Sequence, residues 1–289
     1  MVYQKTKTIL RDQGLAPAKK LGQNFLVHRH TAERIVDLAG LTADDIVIEV
    51  GVGLGALTAP LAEAAGKVIG LEADSGIIRL HREQSTLPDN VQLLHQDVLK
   101  ADFNELAVRC GGRLKIIANL PYSISSPFLF KLIEHHDLVD FTVVMLQKEV
   151  ALRLLAQPGC KEYGAPTVLM ASCAKVEMLM QVKPEEFHPR PKVDSAVIRL
   201  SFHPLPERVR AISPINYPLL KRVVRGAFGQ RRKTLLNALS ATNMLNKGEL
   251  ADCITAAGFS PSIRAERLEL EDFVKLSRIF AEHKEQRPK

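Results

Sequence analysis

Apolar residues follow three rhythms along this chain, and together they outline its architecture. Short, nearly unbroken apolar runs occupy 46–50, 67–71, 91–95, 114–118 and 141–146. Runs of that length between polar turns predict strands buried on both faces, as in a parallel sheet. Helical spacing fills the stretches 123–136 and 148–156, and a further helix precedes two more predicted strands at 175–182 and 196–202. Those two bracket a loop, 187–195, that Pro189 and Pro191 make stiff and Arg190, Lys192 and Asp194 make polar. After Pro204-Leu205-Pro206 the pattern is helical only, at 217–228, 235–239, 249–257 and 271–280. The chain therefore reads as an α/β, Rossmann-like sheet domain over 1–204 and a small all-α domain over 205–289.

Polar residues interrupt the sheet pattern mainly where strands end, which is where open α/β sheets bind ligands. The first of these strands runs into Glu49-Val50-Gly51-Val52-Gly53-Leu54-Gly55 and a helix predicted to continue through Ala56-Leu57-Thr58. Glycines there allow positive φ and close approach of a ligand to the backbone, and amides at a helix start can meet polar or anionic groups. Two cofactors fit. Gly51, Gly53 and Ala56 match the dinucleotide pattern, and Glu49-x-Gly51-x-Gly53-x-Gly55 equally matches a loop that cradles S-adenosylmethionine. The next strand ends in Glu72, a carboxylate able to accept from two ribose hydroxyls, and the third in Gln96-Asp97, whose acid can accept from an adenine amine. The fourth delivers Asn119-Leu120-Pro121-Tyr122. An amide, a free Leu120 carbonyl ahead of a proline and an aromatic ring suit a planar base with an exocyclic amine, whose N–H groups need acceptors and whose ring needs a flat neighbour. A methyltransferase needs such a terminal pocket and a hydride-transfer enzyme does not. Phe187, in the proline-rich loop, is the candidate second aromatic wall, with a core position the alternative.

Composition narrows the picture. With 289 residues and 46% apolar content there is material for one large domain and a small one. No apolar run approaches the roughly 20 residues that span a bilayer, and the opening lacks the apolar core of a signal peptide, so a cytoplasmic protein is expected. Cys110, Cys160, Cys173 and Cys253 are too scattered for a zinc spacing and too few for a disulfide scaffold, so buried reduced thiols and no metal are expected. Charge is uneven. Residues 1–204 carry 23 Lys plus Arg against 23 Asp plus Glu, and 205–289 carry 16 against 9. Together with a basic opening (Lys5, Lys7, Arg11, Lys19, Lys20), this points to a polyanionic partner. Within the helical part, Gly229-Gln230-Arg231-Arg232-Lys233-Thr234 breaks a helix and presents successive cations, candidates for RNA phosphate contacts.

At this point the motifs resemble a family. Gln23-Asn24-Phe25-Leu26, the Glu49 to Gly55 loop, Asn119-Leu120-Pro121-Tyr122, the Pro189 to Ser195 loop and Phe228 through Leu235 are similar, in this order, to the small-subunit ribosomal RNA adenine dimethyltransferases. Relatives that modify large-subunit RNA share the first four, while the Gln230 to Thr234 element and the ending from Gly258-Phe259 to Arg267-Leu268-Glu269 look like the small-subunit branch. The resemblance implies that Asn24, Leu26, Gly51, Glu72, Asp97 and Asn119 line an S-adenosylmethionine pocket, and that Asn119, Leu120, Tyr122 and Phe187 handle the adenine. It implies dimethyladenosine at two adjacent adenines near the RNA 3′ end, made on the immature 30S subunit by a monomer. Val52 stands where the family usually has proline and Ser123 where it often has asparagine; neither supplies a donor the chemistry requires. No general base is evident beside Asn119, and direct displacement needs none. A nicotinamide dehydrogenase, a non-catalytic RNA-binding assembly factor and a large-subunit ribosomal RNA adenine methyltransferase are the alternatives.

Overall fold

The structure, a computed structural model, describes residues 24–85, 87–230 and 232–285. The basic opening, Gln23 of the entry motif and Arg231 of the cation cluster lie outside the described residues. The elements begin with β1 (Phe25–Leu26), α1 (Arg29–Ala39), β2 (Ile46–Val50), α2 (Thr58–Ala64), β3 (Lys67–Glu72), α3 (Ser75–Gln84), β4 (Val91–His95) and α4 (Phe103–Cys110). There follow β5 (Leu114–Asn119), α5 (Ser125–Glu134), β6 (Val139–Gln147), α6 (Lys148–Leu154), α7 (Ala165–Ala171), β7 (Lys175–Val182), β8 (Phe187–His188) and β9 (Ser195–Ser201). The helices α8 (Glu207–Ala211), α9 (Tyr217–Phe228), α10 (Leu235–Ser240), α11 (Lys247–Ala256) and α12 (Leu270–Glu285) complete the chain.

Seven strands form one sheet in the order β4-β3-β2-β5-β6-β9-β7. β2 to β6 run parallel, and β9 lies antiparallel between β6 and β7. Val47, Ile48, Val68, Ile69, Ile117, Val143 and Val144 are buried. Helices cover both faces of such a sheet, which is why its inner strands read as mainly apolar runs, while the edge strands β4 and β7 are mostly half-exposed. α1 contributes Ala32, Ile35, Val36 and Ala39, spaced along one helical face, to the same core as Val47, Val68 and Ile117. Burial of Ile35 and Val36 is worth about 1.5–3 kcal/mol each, and the two alanines let the helix pack closely on that core. The strand order runs outward in opposite directions from the β2–β5 pair, and open sheets form their ligand crevice at such a reversal, beyond the carboxyl ends. Gly51 follows β2 and Asn119 ends β5, so both motifs open onto that crevice.

Three local outcomes differ from the sequence pattern. α2 begins at Thr58, not directly after the glycines, so the loop from Gly51 to Leu57 is long and its ligand-facing groups are loop groups. The helix predicted over 123–136 is a 3-10 turn at Tyr122–Ile124 followed by α5. Pro121, at φ −54 and ψ 132, sets the chain direction there, and the Ile124 amide closes the turn on its carbonyl at 3.1 Å. Phe187–His188, read as part of a loop, pairs antiparallel with Phe25–Leu26 of the entry motif as a two-stranded ribbon, Leu26 opposite Phe187. Two residues per strand are too few to leave a periodic signal.

The chain forms two compact units, and they do not divide at residue 204 alone. Residues up to Ala151 and Lys175–Pro204 make the first; Leu152–Ala174 and Leu205–Lys289 make the second. The excursion 152–174 belongs with the helices because Tyr163 is buried there. Its hydroxyl donates to the Leu268 carbonyl at 2.8 Å and its ring meets Phe228 edge-on. Tyr217 ties α9 to the same excursion by donating to the Ser172 carbonyl at 3.0 Å. Cys173 and Cys253 are buried as expected, whereas Cys110 is half-buried and Cys160 exposed.

Candidate active site

A cavity opens at the carboxyl ends of β2, β3, β4 and β5. It encloses about 800 Å³ of space, counting the part open to solvent, a size suited to a small-molecule ligand. Asn24, Leu26, Gly51, Glu72, Asp97, Asn119 and Leu120 all line it. Seven residues drawn from the entry motif and four strand ends thus converge on one site. Three carboxyl side chains, Glu49, Glu72 and Asp97, belong to the lining, which among the described residues contains no Lys, Arg or His.

The glycine loop shapes the floor. Gly51 has φ +81, and a Cβ there would stand 3.1 Å from the Asn119 carbonyl oxygen, so a side chain would be both strained and crowded. Gly53, at φ +53, turns its amide to the Glu72 Oε2 at 3.0 Å, while its carbonyl meets His81 Nε2 at 2.8 Å. Glu72 is 6% exposed, and its Oε1 accepts from the Asp74 amide at 2.8 Å. The carboxylate therefore braces the loop as well as facing the cavity. Two oxygens offer about four acceptor positions, which leaves capacity for further donors. Asp97 accepts from the Leu99 amide at 2.9 Å, fixing its orientation at the rim.

Glu49 is the lining residue that sequence reasoning overlooked, treating it only as the start of the glycine loop. It is 0% exposed and neither carboxyl oxygen has a hydrogen-bond partner. Burial, opposed by the Thr58 hydroxyl and reinforced by the Glu72 charge, pushes its acid up to about 8. The Thr58 hydroxyl itself has no partner of hydrogen-bond geometry. The one signal in the sequence was the acid itself, since a carboxyl inside an otherwise aliphatic, largely buried strand is costly to place without a purpose.

Of the four residues assigned to adenine, Asn119 and Leu120 reach the cavity and Tyr122 and Phe187 do not line it. Tyr122 is half-buried just beyond Pro121, and its hydroxyl shares a hydrogen bond with Ser195 Oγ at 2.7 Å. Ser195 is itself fully buried and flanked in the sheet by Gln147 and Val182. Phe187 is 2% exposed and packs with Leu26, Val182 and Val197. Its pairing opposite Leu26 points it into the core, which is the physical reason the expected second aromatic wall is not presented here. In the second unit, Arg232 and Lys233 are exposed, on a turn closed by the Lys233 amide to the Gln230 carbonyl at 2.9 Å. Thr234 caps α10 by accepting from the Asn237 amide.

Comparison with known proteins accords with this arrangement. The sequence pattern of a family described as "Ribosomal RNA adenine dimethylase" matches residues 16–282. Among curated proteins, the ribosomal RNA small subunit methyltransferase A of Desulfotalea psychrophila is 53% identical, with 96% of each chain covered. That of Geobacter metallireducens is 42% identical, covering 94% of this chain and 98% of its own. Among solved structures, a dimethyladenosine transferase from Plasmodium falciparum superposes with a TM-score of 0.69 at 29% identity, covering 87% of this chain and 95% of that one. A match over nearly the whole length, joined to a cavity built from the shared motifs, leaves one assignment: the chain belongs to the ribosomal RNA adenine dimethylase family.

Proposed function

We propose that this chain transfers methyl groups from S-adenosylmethionine to the exocyclic amines of two adjacent adenines near the 3′ end of small-subunit ribosomal RNA, giving dimethyladenosines as the 30S subunit is assembled. The observation that carries the reading is the cavity at the strand-order reversal, lined among the described residues by three acids and no cation, with Asn119 and Leu120 at its lip. A dinucleotide would bring an anionic pyrophosphate against an acidic lining, an unfavourable placement at the short range and reduced dielectric of such a site. S-adenosylmethionine instead brings an ammonium and a sulfonium. The unpartnered oxygens of Glu49 and the side-chain-free approach at Gly51 fit such a ligand.

In this reading Asn24, Leu26, Gly51, Glu72, Asp97 and Asn119 hold the cofactor, with Glu72 accepting from the ribose hydroxyls and Asp97 from the adenine amine of the cofactor. The bound cofactor supplies an electrophilic methyl group on sulfur. The target amine is a poor nucleophile because its lone pair is delocalised into the ring. Asn119 and the Leu120 carbonyl accept its N–H groups and draw the nitrogen towards a pyramidal form. Alignment of this kind accounts for up to about 7–11 kcal/mol of a barrier. The Tyr122 ring offers a stacking surface for the extruded base, worth about 1–3 kcal/mol. Arg231, Arg232 and Lys233 contact RNA phosphates, so that the first compact unit carries the chemistry and the second, residues 152–174 included, the docking. The chain works as a cytoplasmic monomer without a metal; among the described residues no helix is long and apolar enough to cross a membrane.

Calorimetric titration with S-adenosylhomocysteine and with NAD tests the ligand class. The homocysteine compound is expected to bind in the micromolar range and NAD not at all; the reverse order removes the basis of the proposal.

A further inference from the structure

Glu49 has a place in the cavity that methyl transfer does not use. It lies in the middle of the sheet on β2, sealed from solvent, with both oxygens lacking partners and both belonging to a residue of the cavity lining. Among the described residues, the groups around it offer no compensating charge. β3 contributes Glu72 and the turn after β4 contributes Asp97, both acids; His81 of α3 lies outside the lining and is engaged with the Gly53 carbonyl. β5 and α2 present no charged side chain to the lining. A carboxylate so placed needs a cationic N–H donor from elsewhere, and an isolated ionised acid in such surroundings takes a proton instead.

We propose that Glu49 exchanges a proton with cofactor binding: it is a neutral acid in the free protein and a carboxylate in the complex, where the cofactor's ammonium lies against it, so that each binding event releases one proton to solvent. This rests on reading the cavity as the cofactor site. Of the two cationic centres of S-adenosylmethionine only the ammonium has N–H groups, and the two unpartnered oxygens call for donors, not merely for charge. The demethylated product keeps that ammonium, so it is a sufficient and chemically inert probe. Burial and the Glu72 charge already hold the Glu49 acid near 8 in the free protein, which places the exchange across neutral pH. Binding is then favoured as pH rises, because the proton to be expelled is held less firmly.

The test is titration calorimetry of S-adenosylhomocysteine at pH 6.5 in buffers of different ionisation enthalpy, which counts protons directly. At that pH an α-amino group, with an ordinary pKa of about 7.7–8.0, is still charged, so it adds little to the count. Wild-type protein is expected to release close to one proton per ligand, and its affinity to rise about tenfold per pH unit between pH 6 and 7. Glu49→Gln is expected to release none and to lose that pH dependence. Glu72→Gln is expected to bind more weakly and still release the proton. Binding by the wild type without proton release overturns the proposal and leaves the cofactor reading intact; an absence of binding overturns both. Release that persists in Glu49→Gln, or disappears only in Glu72→Gln, assigns the proton elsewhere and overturns it too. A wild-type count near zero overturns the proposal by itself, whether or not the variants fold.

Discussion

Buried acids set the character of the site at the level of single residues. Glu49 raises the cost of folding as well as preparing the cavity. Below about 4.5, its ordinary value, folded and unfolded chains both hold the proton; between there and about 8 the unfolded chain gives it up while the folded chain keeps it. The folded state binds more protons across that window, so stability falls as pH rises through it. Glu49→Gln should remove that slope and leave the ligand-free protein more stable at pH 8, by an order of a few kcal/mol. Thermal melts of both proteins from pH 4.5 to 8.5 check this, and parallel curves would contradict it. Asn119 acts on a different quantity. Asn119→Ala should leave the fold intact and lower the single-turnover rate at saturating RNA and cofactor by at least tenfold, because its contact matters most as the amine becomes tetrahedral. A wild-type rate would remove Asn119 from the chemistry.

Elements carry these side chains to one place with little freedom. The lip after β5 is tied to β9 by the Tyr122–Ser195 hydrogen bond, and Ser195 is locked between two neighbouring strands. The ring is therefore positioned by the sheet and not by its own loop. Removing the anchor with Ser195→Ala should lower kcat several-fold with RNA affinity little changed, and Tyr122→Phe should do the same. The double variant should be no worse than either single one, since both break the same hydrogen bond. Additive losses would show that the two residues act separately. The inner strands of the sheet were legible from the sequence because β2, β3, β5 and β6 are largely buried and read as mainly apolar runs, whereas the edge strands β4 and β7 are mostly half-exposed and carry more polar residues. The β1–β8 ribbon was not, for each of its strands is two residues long, and the inward turn of Phe187 depends on that pairing. Glu49 was visible as a letter but not as a cavity group, because only the strand order shows that β2 and β5 are neighbours.

At the scale of the whole molecule, chemistry and charge occupy different parts of the chain. The acid-lined cavity belongs to the first compact unit and the exposed Arg232 and Lys233 to the second. The sequence showed this asymmetry through charge counts, but not that 152–174 folds with the carboxy-terminal helices, since that depends on the distant partners of Tyr163 and Tyr217. Changing Arg232 and Lys233 together to Ala should weaken RNA binding at moderate salt and reduce the slope of log affinity against log salt by about 0.7 to 0.9 for each phosphate that is no longer neutralised. Affinity for S-adenosylhomocysteine should stay the same. RNA affinities at four salt concentrations decide it: an unchanged slope would place the RNA elsewhere.

The most direct measurement is methyl transfer itself. Incubating the protein with labelled S-adenosylmethionine and immature small subunits, then digesting the RNA to nucleosides, should yield dimethyladenosine, four methyl groups per RNA on two adjacent adenines near the 3′ end. Label confined to large-subunit RNA, label on a base other than adenine, or no transfer by protein that binds both cofactor and subunit, would contradict the assignment.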